Sequence, residues 1–177
     1  MPNHVANLLI VSGDAQRKAA MFDAIKIEEY GLGSVDFSKI IAVPDNIYQG
    51  NLGREERKKY GKNNWYDWNN ENWGSKWNSY GYDEFTSEHF DGQTLRFLTA
   101  WNNVHQVIGR LAELYPDLAF SYRWADEDMG YRVGRREYAA GAEIECYCPD
   151  NGSTEALKMA AEIRQVDLEE SGGMKME

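Results

Sequence analysis

The residues best suited to chemistry fall in one stretch, Asn63 to Asn78, which carries four of the six tryptophans, Trp65, Trp68, Trp73 and Trp77, with Tyr66 among them. Flat rings stack on sugars, peptides or unstacked bases, so a groove exposing Tyr66 and Trp68 would be a contact site for a ligand or partner. Core packing competes with that use. At about 200 Å² and about 25 cal/mol per Å² each, burying four indoles contributes roughly 20 kcal/mol gross, against a net stability of about 5–15 kcal/mol for a whole domain. The stretch is therefore expected to be mainly core: a buried helix and turn that clamp an insertion onto a sheet.

Other residue types in the chain allow further chemistry, each with a competing structural role. Arg96 and Arg123 fall on the same face of a sheet if their strands alternate, and two guanidinium groups could hold an anion or a partner's carboxylate, unless nearby acids claim them first. Cys146 and Cys148 are the only cysteines. Their i, i+2 spacing puts both on one face of a strand with Cα atoms about 7 Å apart, which disfavours a mutual disulfide and agrees with a reducing compartment. Thiolates with His4 or His89 would suit zinc, but no second cysteine pair is present, and no metal site is expected. Asp126-Glu127-Asp128 with Gly130 brings carboxylates together without the later bidentate glutamate of a calcium loop, so it reads as a solvated turn. His105 sits among Val104, Val107 and Ile108 with no nucleophile or carboxylate at motif spacing. No Gly-x-Ser-x-Gly, P-loop or dinucleotide fingerprint occurs, so neither a catalytic residue nor a cofactor is expected.

Charge narrows the partners. The 177 residues carry a formal net charge of −10, which disfavours direct binding to nucleic acid or to an anionic membrane. From Glu143 onward nine acids face three bases, whereas Arg54 to Lys62 holds five bases and two acids. That basic island reads as a solvated helix face. Met1 to Ala6 has no basic stretch before a long apolar run, and Leu8 to Val11 is far too short to cross a bilayer, so a soluble cytoplasmic protein is expected.

The elements that must position these residues follow from periodicity. Asn7 to Val11 reads as a buried strand ended by Ser12-Gly13-Asp14, and Asp14 to about Glu29 as a helix with Ala19, Phe22 and Ile25 inward, ended by Gly31 and Gly33. Val35 to Pro44 is extended, and an insertion from about Asp45 holds a short helix at Arg54 to Tyr60. A helix from about Asn64 should stop at Gly74, and Lys76 to Phe85 should form the second strand. Asp91-Gly92 marks a hairpin turn into a third strand, Thr94 to Trp101, with Leu95, Phe97, Thr99 and Trp101 inward. Val104, Val107, Ile108, Leu111 and Leu114 define an amphipathic helix capped by Asn102 or Asn103. Leu118 to Ala125 alternates as a fourth strand. Tyr131 to Tyr138 and Ala142 to Cys148 form a further hairpin, Ser153 to about Gln165 is a final helix capped by Ser153 or Thr154, and a disordered tail starts at Ser171.

The core order of strand, helix, strand, strand, helix, strand predicts an α+β, ferredoxin-like antiparallel sheet with helices on one face. The whole is expected as one domain over residues 1–170, with the insertion at about 45–78 and a tail at 171–177. Asn7-x-Leu9-x-Val11-x-Gly13, Phe37-x-Lys39-Ile40-Ile41-x-x-Pro44, Trp65-Tyr66-x-Trp68, Asn72-Trp73-Gly74-x-Lys76-Trp77, Thr99-Ala100-Trp101 and Tyr115-Pro116-Asp117-Leu118 together resemble the YubB-type family of plasmid and phage proteins with a ferredoxin-like domain. The resemblance spans roughly Asn7 to Tyr131 and departs at His4, where the family often shows tryptophan, and in the long segment between Pro44 and Trp65. It implies a ferredoxin-like fold and a bacterial mobile-element setting. It carries over no catalytic residue.

A non-enzymatic binding protein of a bacterial mobile element, acting on an unidentified partner taken to be a protein, is the leading expectation, with Tyr66, Trp68, Arg96 and Arg123 as the contact residues. The alternative is an acidic inhibitor that imitates nucleic acid and occupies a host DNA-binding enzyme, suggested by the acidic C-terminal third. A third reading is a small-molecule enzyme built on His105 or the arginine pair.

Overall fold

The computed structural model describes residues 3–82 and 89–166. Five strands form one antiparallel sheet in the order β2-β1-β3-β4-β5: β1 His4–Ser12, β2 Thr94–Ala100, β3 Ala119–Asp126, β4 Gly134–Ala139 and β5 Ala142–Tyr147. Around it stand α1 Ala15–Ile25, α2 Arg54–Tyr60, α3 Trp65–Asn72, α4 His105–Leu114 and α5 Thr154–Arg164, with one turn of 3₁₀ helix at Phe37–Lys39. This is the expected α+β ferredoxin-like arrangement: β1 lies between β2 and β3, and each pair of neighbours runs antiparallel.

The alternation of side chains divides the molecule into two cores. Val5, Leu9 and Val11 of β1, Leu95 and Phe97 of β2, and Phe120, Tyr122 and Trp124 of β3 point to one face. There they meet Met21, Phe22 and Ile25 of α1 and Val107, Ile108 and Leu111 of α4. Leu8 and Ala125 point to the other face, where Ala156, Ala160 and Ile163 of α5 cover them. The small alanines let α5 approach the sheet closely. The helices expected on one face, α1 and α4, are there, while the C-terminal helix occupies the opposite face.

Several boundaries differ from the periodic pattern. α1 ends at Ile25, four residues before the expected end, and Gly31 belongs to a small turn in which its backbone bonds to Ile27 O. The second strand expected over Lys76 to Phe85 is reduced, among the described residues, to a single bridge between Tyr80 and Leu98. Its last residues, 83–85, lie outside the described residues, as do Ser87 of the expected turn and the tail from Ser171. The bridge still sits beside β2, where the ferredoxin-like pattern places that strand. Gly81 explains part of the loss: it has φ +90, and its Cα hydrogen faces Leu98, so that a Cβ there would come within 2.7 Å of Leu98 Cγ. The N-cap of α4 is Val104, not Asn102 or Asn103, although Asn103 Oδ1 accepts from His105 N at 3.0 Å. Ser153 caps α5 as expected, accepting from Ala156 N at 3.1 Å.

Candidate functional site

The insertion is held together by contacts that its sequence supplies locally. Asn64 caps α3, accepting from Asp67 N at 2.9 Å and donating to Gly61 O at 2.7 Å. Tyr48 stacks on Tyr60 with ring centroids 4.3 Å apart, and Trp65 donates through Nε1 to Gly50 O at 2.9 Å. At the other end of α3, Trp73 is only 4% exposed and donates to Ile41 O at 3.0 Å. Edge-to-face contacts with Phe37 and Trp68 complete its packing.

Trp73 is the one tryptophan of the stretch that is fully buried. Trp65 and Trp68 are half-buried, and Trp77 is 38% exposed. The stretch expected to be mainly core is thus buried at Trp73, half-buried at Trp65 and Trp68, and exposed at Trp77. Area alone treats all four indoles alike, but the turn at Gly74, φ +86, separates Trp77 from the helix whose inner face buries Trp73.

The residues after Gly74 build a half-buried site with Trp77 as its exposed ring. Ser75 is buried, and its Oγ accepts from Ala100 N at 3.1 Å, which attaches this turn to the end of β2. Asn69 Nδ2 donates to Lys76 O at 2.9 Å. Lys76 and Trp77 are thus held next to Trp101. The Lys76 ammonium lies 4.6 Å from the centroid of the Trp77 ring, 5.5 Å from that of Trp101 and 5.9 Å from that of Tyr66. Arg57 of α2 approaches Tyr66 from its own side, at 5.7 Å. Rings continue the strip outward, Trp77 to Tyr80 and Tyr80 to His4, where His4 Nδ1 and Tyr80 Oη are 2.6 Å apart. Burial and then the charge of Glu127 raise the Tyr80 phenol above its ordinary range, so it stays a neutral hydroxyl at physiological pH.

Trp101 corrects an expectation. Strand alternation assigns it to the core with Leu95, Phe97 and Thr99, but β2 ends at Ala100 and Trp101 takes φ 72. This left-handed conformation costs a non-glycine residue about 1–3 kcal/mol. Its backbone N–H donates to Asn3 O at 2.9 Å, and its ring meets Tyr66 edge to face. The signal in the sequence was Asn102-Asn103, a turn pair immediately after the strand.

Of the four contact residues read from the sequence, the structure keeps Tyr66 in the strip and places Trp68 against Trp73 and the main core. Arg96 and Arg123 do share the sheet face on which α5 packs, where Arg123 is half-buried while Arg96 stays exposed on the edge strand β2. Arg96 Nη1 donates to Ile163 O at 3.1 Å, and Arg123 faces Glu162 at 3.9 Å. They tie the last helix to the sheet and do not form an open anion clamp.

His105 belongs to a separate group with Arg136, Tyr138 and Glu143. Its backbone carbonyl accepts from Tyr138 Oη at 3.4 Å, and Arg136 pairs with Glu143 at 2.7 Å. Burial and the facing Arg136 charge hold the His105 imidazole below its ordinary pKa, with Glu143 opposing. A cavity of about 290 Å³ opens nearby between Trp101, Asn102, Asn103, Arg132, Arg136 and Cys148, but His105 is not in its wall. Cys146 and Cys148 are exposed free thiols. Among the described residues no grouping of three or more His, Cys, Asp or Glu is placed to hold a metal ion.

Residues 72–167 match the family model described as "Ferredoxin-like domain in Api92-like protein". The matched segment begins at the last residue of α3 and includes Lys76, Trp77, Trp101 and every element from β2 to α5. Searches of curated proteins and of solved structures found no match.

Proposed function

Since the chain belongs to the family of ferredoxin-like domains in Api92-like protein, we propose that it is a non-enzymatic binding module whose contact surface is the aromatic strip around Lys76. The observation that carries this reading is the position of the Lys76 ammonium. It lies within 6 Å of the centroids of three rings, and among the described residues no carboxylate pairs with it. A cation set among aromatic faces and left without an internal anion is suited to a partner that brings one. Trp101, held in a costly backbone conformation at the same place, supports the assignment, because strain of this kind collects at functional sites.

A bacterial mobile-element setting and a cytoplasmic location are part of the proposal. The first is supported by the resemblance of the tryptophan block to the YubB-type family. For the second, no helix among the described residues is long and apolar enough to cross a membrane.

The acidic-inhibitor alternative asks for a stripe of unpaired carboxylates spaced like a phosphate backbone. The groove between β5 and α5 instead interleaves Glu145, Glu155 and Glu162 with Arg123, Arg135 and Lys158. Arg135 pairs with Glu145 at 2.9 Å. The enzyme alternative loses support, because the arginine pair is engaged by α5 and His105 is not in the wall of the nearby cavity.

The test is site-specific photocrosslinking in host lysate, with a photoreactive amino acid at Trp77 or, as a remote exposed control, at Ile144. Specific adducts from position 77 that Lys76→Glu abolishes are the expected result. Equal labelling from both positions, or none from position 77, would overturn the assignment of this surface.

A further inference from the structure

Charge and ring placement together narrow the partner. We infer that the strip takes single-stranded nucleic acid, bases stacking on Trp77, Trp101 and Tyr66 while Lys76, Arg57 and the α2 lysines contact phosphates; this rests on the binding reading above. The net charge of −10 argues against nucleic acid only if charge is spread evenly, and it is not. The Arg54 to Lys62 segment, with five bases and two acids, leads directly into α3, and Arg57 reaches the Tyr66 ring at 5.7 Å. The basic island and the aromatic strip meet at this contact. The island is the solvated helix face expected from the sequence, since α2 has no buried residue.

The shape selects the single-stranded form. Stacking needs bases whose faces are free, which a duplex withholds, and a few cations on an acidic protein cannot offset the dense charge of a duplex. An acidic peptide would satisfy the cations, but it has no flat group to match three rings set within about 6 Å of one ammonium. The Lys76 stem is flexible and, among the described residues, no carboxylate pairs with its ammonium, so it can follow a phosphate while the rings take bases. On the far face of the sheet α5 packs over Leu8 and Ala125, and Arg96 donates to Ile163 O, so the middle of that face is occupied.

The experiment is fluorescence anisotropy of the full chain with a labelled thymidine homo-oligomer, with duplex DNA and polyglutamate as competitors. Saturable binding is expected, with quenching of tryptophan fluorescence. Trp77→Ala and Lys76→Glu should each weaken it at least about fivefold, as loss of one stacked base or one phosphate contact does. Lys76→Arg should retain it. Both positions are outside the core, and matching thermal unfolding of the variants would show that the fold is kept. A log–log salt slope of about −2, from roughly three phosphate contacts at about −0.7 each, is expected for a single strand. No binding at tens of micromolar protein, wild-type affinity in both variants, or competition by polyglutamate as effective as by unlabelled oligonucleotide would overturn the inference. Photocrosslinks from position 77 that survive nuclease treatment of the lysate, together with no oligonucleotide binding, would overturn it while leaving the surface assignment standing.

Discussion

The Tyr122 hydroxyl, at the centre of the main core, donates to Asn7 Oδ1 and accepts from Val104 N at 2.8 Å. Asn7 Nδ2 in turn donates to Thr99 Oγ1 at 2.9 Å, and Thr99 Oγ1 donates to Asn102 O at 2.7 Å. One buried chain of polar groups therefore links β3, β1, β2 and the first residue before α4. It spans the turn that carries Trp101. Burial drives the Tyr122 phenol pKa far up, so the group remains a neutral donor throughout the range in which the protein folds.

Tyr122→Phe removes the hydroxyl and leaves Asn7 Oδ1 and Val104 N without a partner in a region closed to water. An unsatisfied buried polar group costs about 1–3 kcal/mol. The variant should unfold at lower urea concentration by that amount with an unchanged m-value. If the link to Trp101 holds, fluorescence of that tryptophan should also shift before global unfolding.

Trp73 and Trp77 should separate stability from binding. Trp73→Ala removes a buried ring and its hydrogen bond to Ile41 O, and truncations of this kind cost about 3–5 kcal/mol. Trp77→Ala removes an exposed ring and should change stability by less than about 1 kcal/mol. Equal losses in chemical denaturation would contradict the placement of the two side chains.

Gly74 and Gly61 both take positive φ, +86 and +58, but in different surroundings. A Cβ at Gly74 would stand 2.7 Å from Gln106 Oε1 and 3.1 Å from Asn103 O, whereas at Gly61 it would meet nothing within 4 Å. Gly61→Ala should cost about 1 kcal/mol, the ordinary penalty of the left-handed region. Gly74→Ala should cost more, about 2–3 kcal/mol, and should weaken partner binding as well, because the displaced turn carries Lys76 and Trp77. Paired urea titrations and binding measurements check this.

His105 gives a pH dependence whose sign is fixed by its environment. Its native pKa lies below the ordinary 6.5, so between the native and unfolded values the unfolded chain binds more protons. Stability should therefore be fully present above about pH 6.5 and fall as the pH is lowered through that value toward the native one. His105→Gln should remove this component, read as a flatter dependence of the urea midpoint on pH between neutral and mildly acidic solution. An unchanged slope in the variant would assign the dependence to another group.

The pattern of apolar residues was enough to determine the order of elements apart from the strand expected over Lys76 to Phe85, both helices on the main face and the β4–β5 hairpin, because burial on one face imposes periods of 2 and 3.6 on any sequence that meets it. It also marked the tryptophan stretch as the feature to explain. Which rings are buried was not legible, since Trp73 and Trp77 are chemically identical and differ only in which side of the Gly74 turn they lie. Nor was the role of Arg96 and Arg123: alternation placed them on one face, but only tertiary packing shows that α5 docks there and takes up both side chains. The same holds for Trp101, where strand parity gave the wrong side because the strand ends one residue earlier. Local periodicity specifies a face. Which faces meet, and so which residues remain for a partner, is decided by contacts between segments as far apart in the chain as Lys76 and Trp101.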